Sequence, residues 1–176
     1  MAKKIAMIIA FKDFRDEEYV FPKDIFQDKG IEVITFSSKE GEAIGTYGGV
    51  VQVDYVLSDL RPGDFAAVIF IGGSGAVNYM ENDICHKIAR ETLKKDKVLG
   101  AICIASTILA KAGVLKDKKA TVWSSETDKS AVKILKHKGA DFQARPVVVD
   151  GNIVTAEGPQ AARRFAEEVV KKLDLS

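Results

Sequence analysis

The sequence predicts a flavodoxin-like α/β domain, a three-layer α/β/α sandwich with a mostly parallel sheet and a nucleophile elbow. Apolar runs rich in β-branched residues alternate with longer helical patterns, as in doubly wound folds. The runs 4–11, 66–72 and 98–104 are almost continuously hydrophobic, which is typical of parallel strands covered on both faces. No linker, repeat or low-complexity tract interrupts residues 1–176, so we expect a single domain.

The apolar runs define the strands in detail. Strands are predicted over residues 4–11, 31–37, 66–72, 98–104, 119–124, 146–150 and 152–156. The segment "GTYGGVVQVDYVL" (45–57) is predicted to form a β-hairpin or a bulged pair of strands. Its turn is placed at Gly48 and Gly49, because glycine adopts the positive φ angles that tight turns need.

The segments between the strands show the spacing of apolar residues that is typical of helices. Helices are predicted over residues 17–29, 83–95, 105–112, 129–138 and 159–173. Gly30, Gly113 and Gly139 supply stop signals after three of them. Asp83 is the expected N-terminal cap of the second helix, and Pro159 is expected in the first turn of the last.

Composition excludes several classes of function. The chain has 26 basic and 25 acidic residues, a net charge of +1, so nothing favours nucleic acid or an anionic membrane as its main partner. No apolar run approaches the ~18–20 residues that span a bilayer. The run 5–11 is followed at once by charged residues, so we interpret it as a strand and not as a signal peptide. Cys85 and Cys103 are expected to be free thiols in a cytoplasmic protein.

The stretch "LGAICIAS" (99–106) places Cys103 where a buried strand ends and a helix begins. Helix N-terminal N–H groups and the helix dipole stabilise a thiolate, so the pKa of Cys103 is expected below the reference value of about 8.5. A strand-to-helix turn of this kind is the geometry of a nucleophile elbow, and strained dihedral angles are expected at Cys103. The alternative is that Cys103 is a small buried hydrophobic residue.

The "GGSG" loop (72–75) follows another buried strand and favours the reactive interpretation. The backbone N–H groups of Gly73 and Ile104 are predicted to form an oxyanion hole beside the sulfur. A nucleotide loop is disfavoured, because Asn78 occupies the third glycine position of G-x-G-x-x-G and no Lys-Ser or Lys-Thr follows. We therefore expect no cofactor.

Four motifs together resemble the ThiJ/PfpI superfamily, the class I glutamine amidotransferase-like proteins that include PfpI-type intracellular proteases and the parkinsonism-associated protein. The motifs are "EEYVFP" (17–22), "FIGGSGA" (70–76), "GAICIAS" (100–106) and "VVVDGNIVTAEGPQAA" (147–162). The resemblance implies that Glu18, four residues before Pro22, hydrogen-bonds a nucleophilic Cys103. Such a pair titrates as a unit, with the glutamate pKa raised. The alternative is that Glu18 is only an acidic residue of the first helical turn, where its charge interacts favourably with the helix dipole.

The chain departs from this resemblance at the third catalytic position. PfpI-type proteases have a histidine directly after the cysteine, where this chain has Ile104, and Trp123 stands near the histidine position of the parkinsonism-associated branch. His86 and His137 lie on predicted helices and are expected to face solvent. His86 beside Cys85 does not make a metal site, because adjacent helix residues point to different sides. Peptidase activity is therefore doubtful, although a protease or amidase name fits the family.

The resemblance and the residues leave three classes of function open. The first is glyoxalase-like or deglycase-like chemistry on small reactive carbonyls, with Trp123, Ser124 and Tyr47 as candidate pocket residues. The second is a non-enzymatic oxidative-stress sensor based on oxidation of Cys103. The third is a chaperone-like or structural protein. The expected partners are a small carbonyl or peptide substrate and, by the resemblance, a second copy of the chain in a homodimer or larger homo-oligomer.

Overall fold

The computed structural model describes residues 2–174, which form a central sheet flanked by helices. The strands are β1 (Lys4–Ile8), β2 (Lys12–Phe14), β3 (Glu32–Ser37), β4 (Gly41–Gly45), β5 (Val50–Val53), β6 (Tyr55–Val56), β7 (Ala67–Phe70), β8 (Val98–Ile102), β9 (Lys119–Ala120), β10 (Asp141–Phe142), β11 (Val147–Asp150) and β12 (Ile153–Ala156). The α-helices are α1 (Asp16–Asp28), α2 (Asp83–Lys94), α3 (Ser106–Lys111), α4 (Ser130–His137) and α5 (Ala162–Asp174).

The main sheet has seven strands in the order β11-β12-β8-β7-β1-β3-β6. Every neighbouring pair is parallel except β11 with β12, which is antiparallel. Strands β1, β7 and β8 are buried along almost their whole length, because helices cover both faces. The predicted three-layer α/β/α fold with a mostly parallel sheet is therefore confirmed.

Helices α1 and α5 pack together on one face of the sheet, and α2, α3 and α4 follow one another across the other face. Each of these helices turns apolar side chains toward the sheet, and those side chains form one continuous core with the strands. No helix among residues 2–174 is long and apolar enough to cross a membrane.

The predicted hairpin is present, with shifted limits. Strands β4 and β5 pair antiparallel around a turn in which Gly48 N–H donates to Gly45 O. Strand β2 pairs with β4, so the hairpin belongs to a small three-stranded sheet beside the main one. The end of the predicted segment, β6, leaves the hairpin and pairs with β3 at the edge of the main sheet.

Two local predictions are wrong. The predicted strand 119–124 is a strand only at Lys119–Ala120, where it pairs with β10 and not with the main sheet. Beyond it, Thr121 N–H donates to the hydroxyl of Thr155 instead of continuing a ladder. The cap of α2 is Asn82 and not Asp83, because the Asn82 side chain accepts a hydrogen bond from Cys85 N–H at 2.9 Å.

The last predicted helix begins in a different way. Residues Pro159–Ala161 form a short 3₁₀ turn, with Pro159 at its start, and α5 follows from Ala162. Proline suits such a first turn for two reasons. Its fixed φ is close to the helical value, and the N–H that it lacks would have no acceptor there.

Candidate active site

Cys103 lies at the sharp turn between β8 and α3. It opens a short 3₁₀ turn, Cys103–Ala105, and has φ +63°. A non-glycine residue in this left-handed region is strained, so the predicted backbone strain is confirmed. The carbonyl of Cys103 accepts a hydrogen bond from Trp123 N–H at 3.3 Å, which ties the elbow to the segment after β9. The side chain is half-buried at the carboxyl end of the sheet.

Glu18 brings a carboxyl group to this sulfur from the first turns of α1. Its side chain is 0% exposed, and its Oε1 accepts a hydrogen bond from Gly72 N–H at 3.0 Å. The carboxyl group interacts directly with the side chain of Cys103. Its second oxygen, Oε2, is buried and has no hydrogen-bond partner among residues 2–174. A buried carboxylate with one unpaired oxygen is costly, so this arrangement favours a protonated carboxyl group.

The two glycines after β7 allow this close approach. A Cβ atom on Gly72 would lie 2.5 Å from Glu18 Oε1 and 2.7 Å from Cys103 Cβ. Gly73 has φ +109°, and a Cβ atom there would lie 2.4 Å from the backbone nitrogen of Arg15. Arg15 N–H in turn donates to Gly72 O at 2.9 Å. The loops after β1 and β7 therefore contact each other through backbone atoms, and only glycine fits at positions 72 and 73.

Backbone donors converge on the sulfur from two loops. The N–H groups of Gly73 and Ile104 both point at Cys103 and lower the pKa of its thiol. The structure thus brings Glu18 and Gly73, which lie far away in the sequence, next to Cys103 and its neighbour Ile104.

Burial dominates the titration of this pair. It raises the pKa of Glu18 to about 8, against the opposing effects of the Cys103 and Gly72 hydrogen bonds, as the family resemblance led us to expect. Burial also raises the pKa of the Cys103 thiol, with a further contribution from the Glu18 charge. The prediction of a lowered cysteine pKa is therefore wrong, because desolvation outweighs the two backbone N–H groups. The first proton leaves the coupled pair near pH 8.

A cavity of about 360 Å³ opens over the sulfur, at the small end of the range for ligand pockets. Its lining combines charged and uncharged polar side chains with one tryptophan and one proline. The lining residues are Arg15, Cys103, Trp123, Ser124, Glu157, Pro159 and Gln160. A small molecule in this cavity would contact the sulfur directly.

A family model described as "DJ-1/PfpI family" matches residues 3–172 of the chain. The chain belongs to the DJ-1/PfpI family. It is 40% identical over 172 residues to an uncharacterized protein of Methanocaldococcus jannaschii, covering 97% of this chain and 82% of that protein. It is 30% identical over 167 residues to the deglycase PfpI of Pyrococcus furiosus, covering 95% and 98%. A ThiJ/PfpI domain protein from Brachyspira murdochii has the same fold, with TM-score 0.94, 30% identity and coverage of 99% and 98%.

Trp123 and Ser124 line the cavity of this DJ-1/PfpI chain, but the third candidate does not. Tyr47 is 66% exposed, and its ring lies under the guanidinium of Arg15 with 4.9 Å from Arg15 Cζ to the ring centroid. Tyr47 sits in the β4–β5 turn, where its backbone N–H donates to the carboxylate of Asp16. It therefore supports a cavity residue and does not contact the cavity itself.

Neither histidine lines the cavity. The prediction that His86 faces solvent is wrong, because its side chain is 9% exposed and its Nε2 lies 2.7 Å from Met80 O. His137 is exposed at the end of α4, as predicted. The described part of the chain contains no group of three or more His, Cys, Asp or Glu side chains that could hold a metal ion.

Sequence reasoning missed three polar cavity residues, Arg15, Glu157 and Gln160, and it assigned Pro159 only to the start of a helix. All three lie inside or beside segments that the sequence had already marked. Arg15 is part of the charged loop after the first strand, and the other two belong to the motif 147–162. The signal that could have found them is their position in the segments that follow strands, at the edge of the sheet where the elbow lies.

Proposed function

We propose that this chain is a cysteine-dependent enzyme that acts on small reactive carbonyl compounds, with α-oxoaldehydes as its substrates. Cys103 is the nucleophile, Glu18 moves protons, and the N–H groups of Gly73 and Ile104 stabilise the oxyanion. The observation that carries the proposal is the strained Cys103, at φ +63°, in contact with a fully buried carboxyl group and open to a small cavity. The deglycase name of a relative 30% identical to this chain agrees with such chemistry.

The reaction begins when Cys103 Sγ bonds to the aldehyde carbon and its proton passes to the Glu18 carboxylate. The electron pair of the C=O bond moves to oxygen, which the Gly73 and Ile104 N–H groups stabilise. Glu18 then returns the proton to that oxygen, giving a hemithioacetal. A general acid–base works best when its pKa lies near the working pH, and the pKa of about 8 for Glu18 meets this requirement.

Glu18 next takes the proton from the aldehyde-derived carbon and delivers it to the neighbouring carbonyl carbon, through an enediol. The result is a thioester on Cys103 and a hydroxyl group on the next carbon, so oxidation and reduction balance within the substrate. Water hydrolyses the thioester and releases a 2-hydroxy acid and the free thiol. The whole sequence consumes one water molecule and needs no external oxidant or reductant.

Peptide hydrolysis is less well supported by the same site. An amide leaving group must receive a proton, and no histidine lines the cavity to supply it. The carbonyl reaction has no amine leaving group, so one carboxyl group beside the sulfur is sufficient.

Conversion of methylglyoxal to lactate, followed by NMR, tests the proposal. Wild-type protein should form lactate, and Cys103→Ala should lose activity to the buffer rate. Glu18→Gln should reduce kcat by about a hundredfold or more, the usual worth of a positioned acid–base group. Cys85→Ala is the matched control, because Cys85 is buried in α2 and does not line the cavity. Lactate formation that survives in Cys103→Ala would refute the assignment.

A second candidate is an oxidation sensor, and one observation favours it. Glu18 Oε2 has no hydrogen-bond partner in the described part of the chain, so a protonated Glu18 could donate to an oxygen of a Cys103 sulfinate. Limited peroxide treatment with peptide mass spectrometry separates the two candidates. A sensor oxidises selectively at Cys103 and leaves methylglyoxal unchanged, whereas the proposed enzyme forms lactate.

A further inference from the structure

We propose that Arg15 makes the cavity selective for α-oxoaldehydes that carry a carboxylate at the end remote from the aldehyde. This inference rests on the proposed function, because it assigns the substrate class of that site. The relevant geometry is that Arg15 and Cys103, the proposed nucleophile, line one cavity of about 360 Å³. A substrate whose aldehyde carbon meets Cys103 therefore has Arg15 in the wall of the same cavity.

Two contacts hold the side chain of Arg15, and a third holds its backbone. Its Nε donates to Glu17 Oε2 at 2.6 Å and its guanidinium lies over the Tyr47 ring, while its backbone N–H donates to Gly72 O. The two side-chain contacts orient the guanidinium before any ligand binds, so less side-chain entropy remains to be lost. Preorganisation of this kind favours specific recognition over general attraction.

The two terminal nitrogens of Arg15 remain available. Among the residues that the structure describes, only Nε of this guanidinium takes part in a hydrogen bond. The side chain is one-third exposed. A planar pair of N–H groups matches the two oxygens of a carboxylate and binds it bidentately. An uncharged substrate such as methylglyoxal gains nothing comparable from this group.

Glu157 sets the direction in which a charged substrate lies. It follows β12, which neighbours β8 on one side, whereas Arg15 follows β1 and β2 on the other side of Cys103. In the described part of the chain, no ion pair within 4.0 Å joins Arg15 to Glu157. Repulsion from Glu157 and attraction to Arg15 therefore both direct a substrate carboxylate toward Arg15.

The kinetic test compares 4,5-dioxopentanoate, an α-oxoaldehyde with a remote carboxylate, with methylglyoxal. The measured quantity is the ratio of their kcat/KM values, because Arg15 also interacts with Glu18 and a change in Glu18 affects both substrates. In Arg15→Gln this ratio should fall by about tenfold or more. In Glu157→Gln it should rise. An unchanged ratio in both variants overturns the inference and leaves the proposed function standing.

A binding test separates the inference from catalysis. Trp123 is the single tryptophan of the chain and lines the cavity, so its fluorescence reports occupancy. Glutarate, a stable dicarboxylate, should quench or shift this fluorescence at concentrations where the uncharged glutaramide does not. Arg15→Gln should abolish the difference at matched ionic strength. Binding of glutarate without turnover of either aldehyde would support the anion subsite and refute the proposed function, whereas equal responses to the two compounds would refute the subsite.

Discussion

Glu18 and Cys103 each affect the pKa of the other. Glu18 and Cys103 are both desolvated, and a second negative charge beside the first is strongly unfavourable. The pair therefore carries two protons at low pH and one proton above about pH 8. In the proposed mechanism the form with one proton is the reactive form, because Glu18 can then accept the thiol proton or Cys103 can be the thiolate while Glu18 stays neutral.

The same titration predicts a stability effect. Folding raises the pKa of Glu18 from 4.5 to about 8, so the stabilisation it gives is present below pH 4.5 and is lost as pH rises through about 8. The isosteric Glu18→Gln variant does not titrate and keeps an acceptor for Gly72 N–H. Denaturant unfolding over this pH range should show the wild-type free energy of unfolding decreasing relative to that of Glu18→Gln.

The control for this experiment is Glu17→Gln, which changes a neighbouring carboxyl group that is partly exposed. That variant should follow the wild-type pH dependence. A wild-type stability that rises relative to Glu18→Gln between pH 4.5 and about 8 would contradict a raised pKa for Glu18.

Gly73 and Gly113 both have positive φ angles but differ in the space that an added Cβ atom would find. Gly73 combines φ +109° with a Cβ position only 2.4 Å from Arg15 N, whereas Gly113 at the end of α3 has φ +85° and no atom within 4 Å. Gly113→Ala should therefore cost about 1–2 kcal/mol of stability, the price of the left-handed backbone alone. Gly73→Ala should cost about 2 kcal/mol more, because the loops must also separate.

Thermal or denaturant unfolding of the two variants measures this difference. If the proposed function holds, Gly73→Ala should in addition lose methylglyoxal turnover, because the proposed oxyanion donor moves with its loop. Equal destabilisation by the two substitutions would show that the loop after β1 yields easily to an added methyl group.

Most elements could be predicted from local sequence, and the misses have physical causes. The continuous apolar runs of β1, β7 and β8 specify buried parallel strands with little ambiguity. The segment 119–124 has the same β-branched character but pairs with β10 only at Lys119–Ala120, and the rest is held by Thr155 and Cys103. Such side-chain and loop contacts come from distant parts of the chain, which no local pattern contains.

At the scale of the whole molecule, sheet order assembles the site. Strands β8, β7 and β1 are neighbours, so the loops that follow them meet at one edge although Glu18 and Cys103 lie 85 positions apart in the chain. The sequence was sufficient to predict that Cys103, Glu18, Gly73 and Ile104 come together. It was not sufficient to predict the direction of the cysteine pKa, because the depth of burial depends on packing from all sides.

The homo-oligomer expected from the family resemblance stays a prediction. Several large apolar side chains of the small sheet are exposed, among them Ile44 and Val50, which face each other across the hairpin. Contact with a second copy would remove this apolar surface from water.

The most direct test of the reactive pair is the pH dependence of iodoacetamide labelling, measured separately at Cys103 and Cys85 by peptide mass spectrometry. Labelling of Cys103 should rise with a midpoint near pH 8, where the first proton leaves the pair. Cys85 should stay unlabelled in this range, because burial raises its pKa to about 12. Glu18→Gln should remove the step near pH 8 and leave labelling only at higher pH. If Cys103 labels no faster than Cys85 at any pH, or if Glu18→Gln leaves the profile unchanged, the thiol is a packing residue and the coupled pair is refuted.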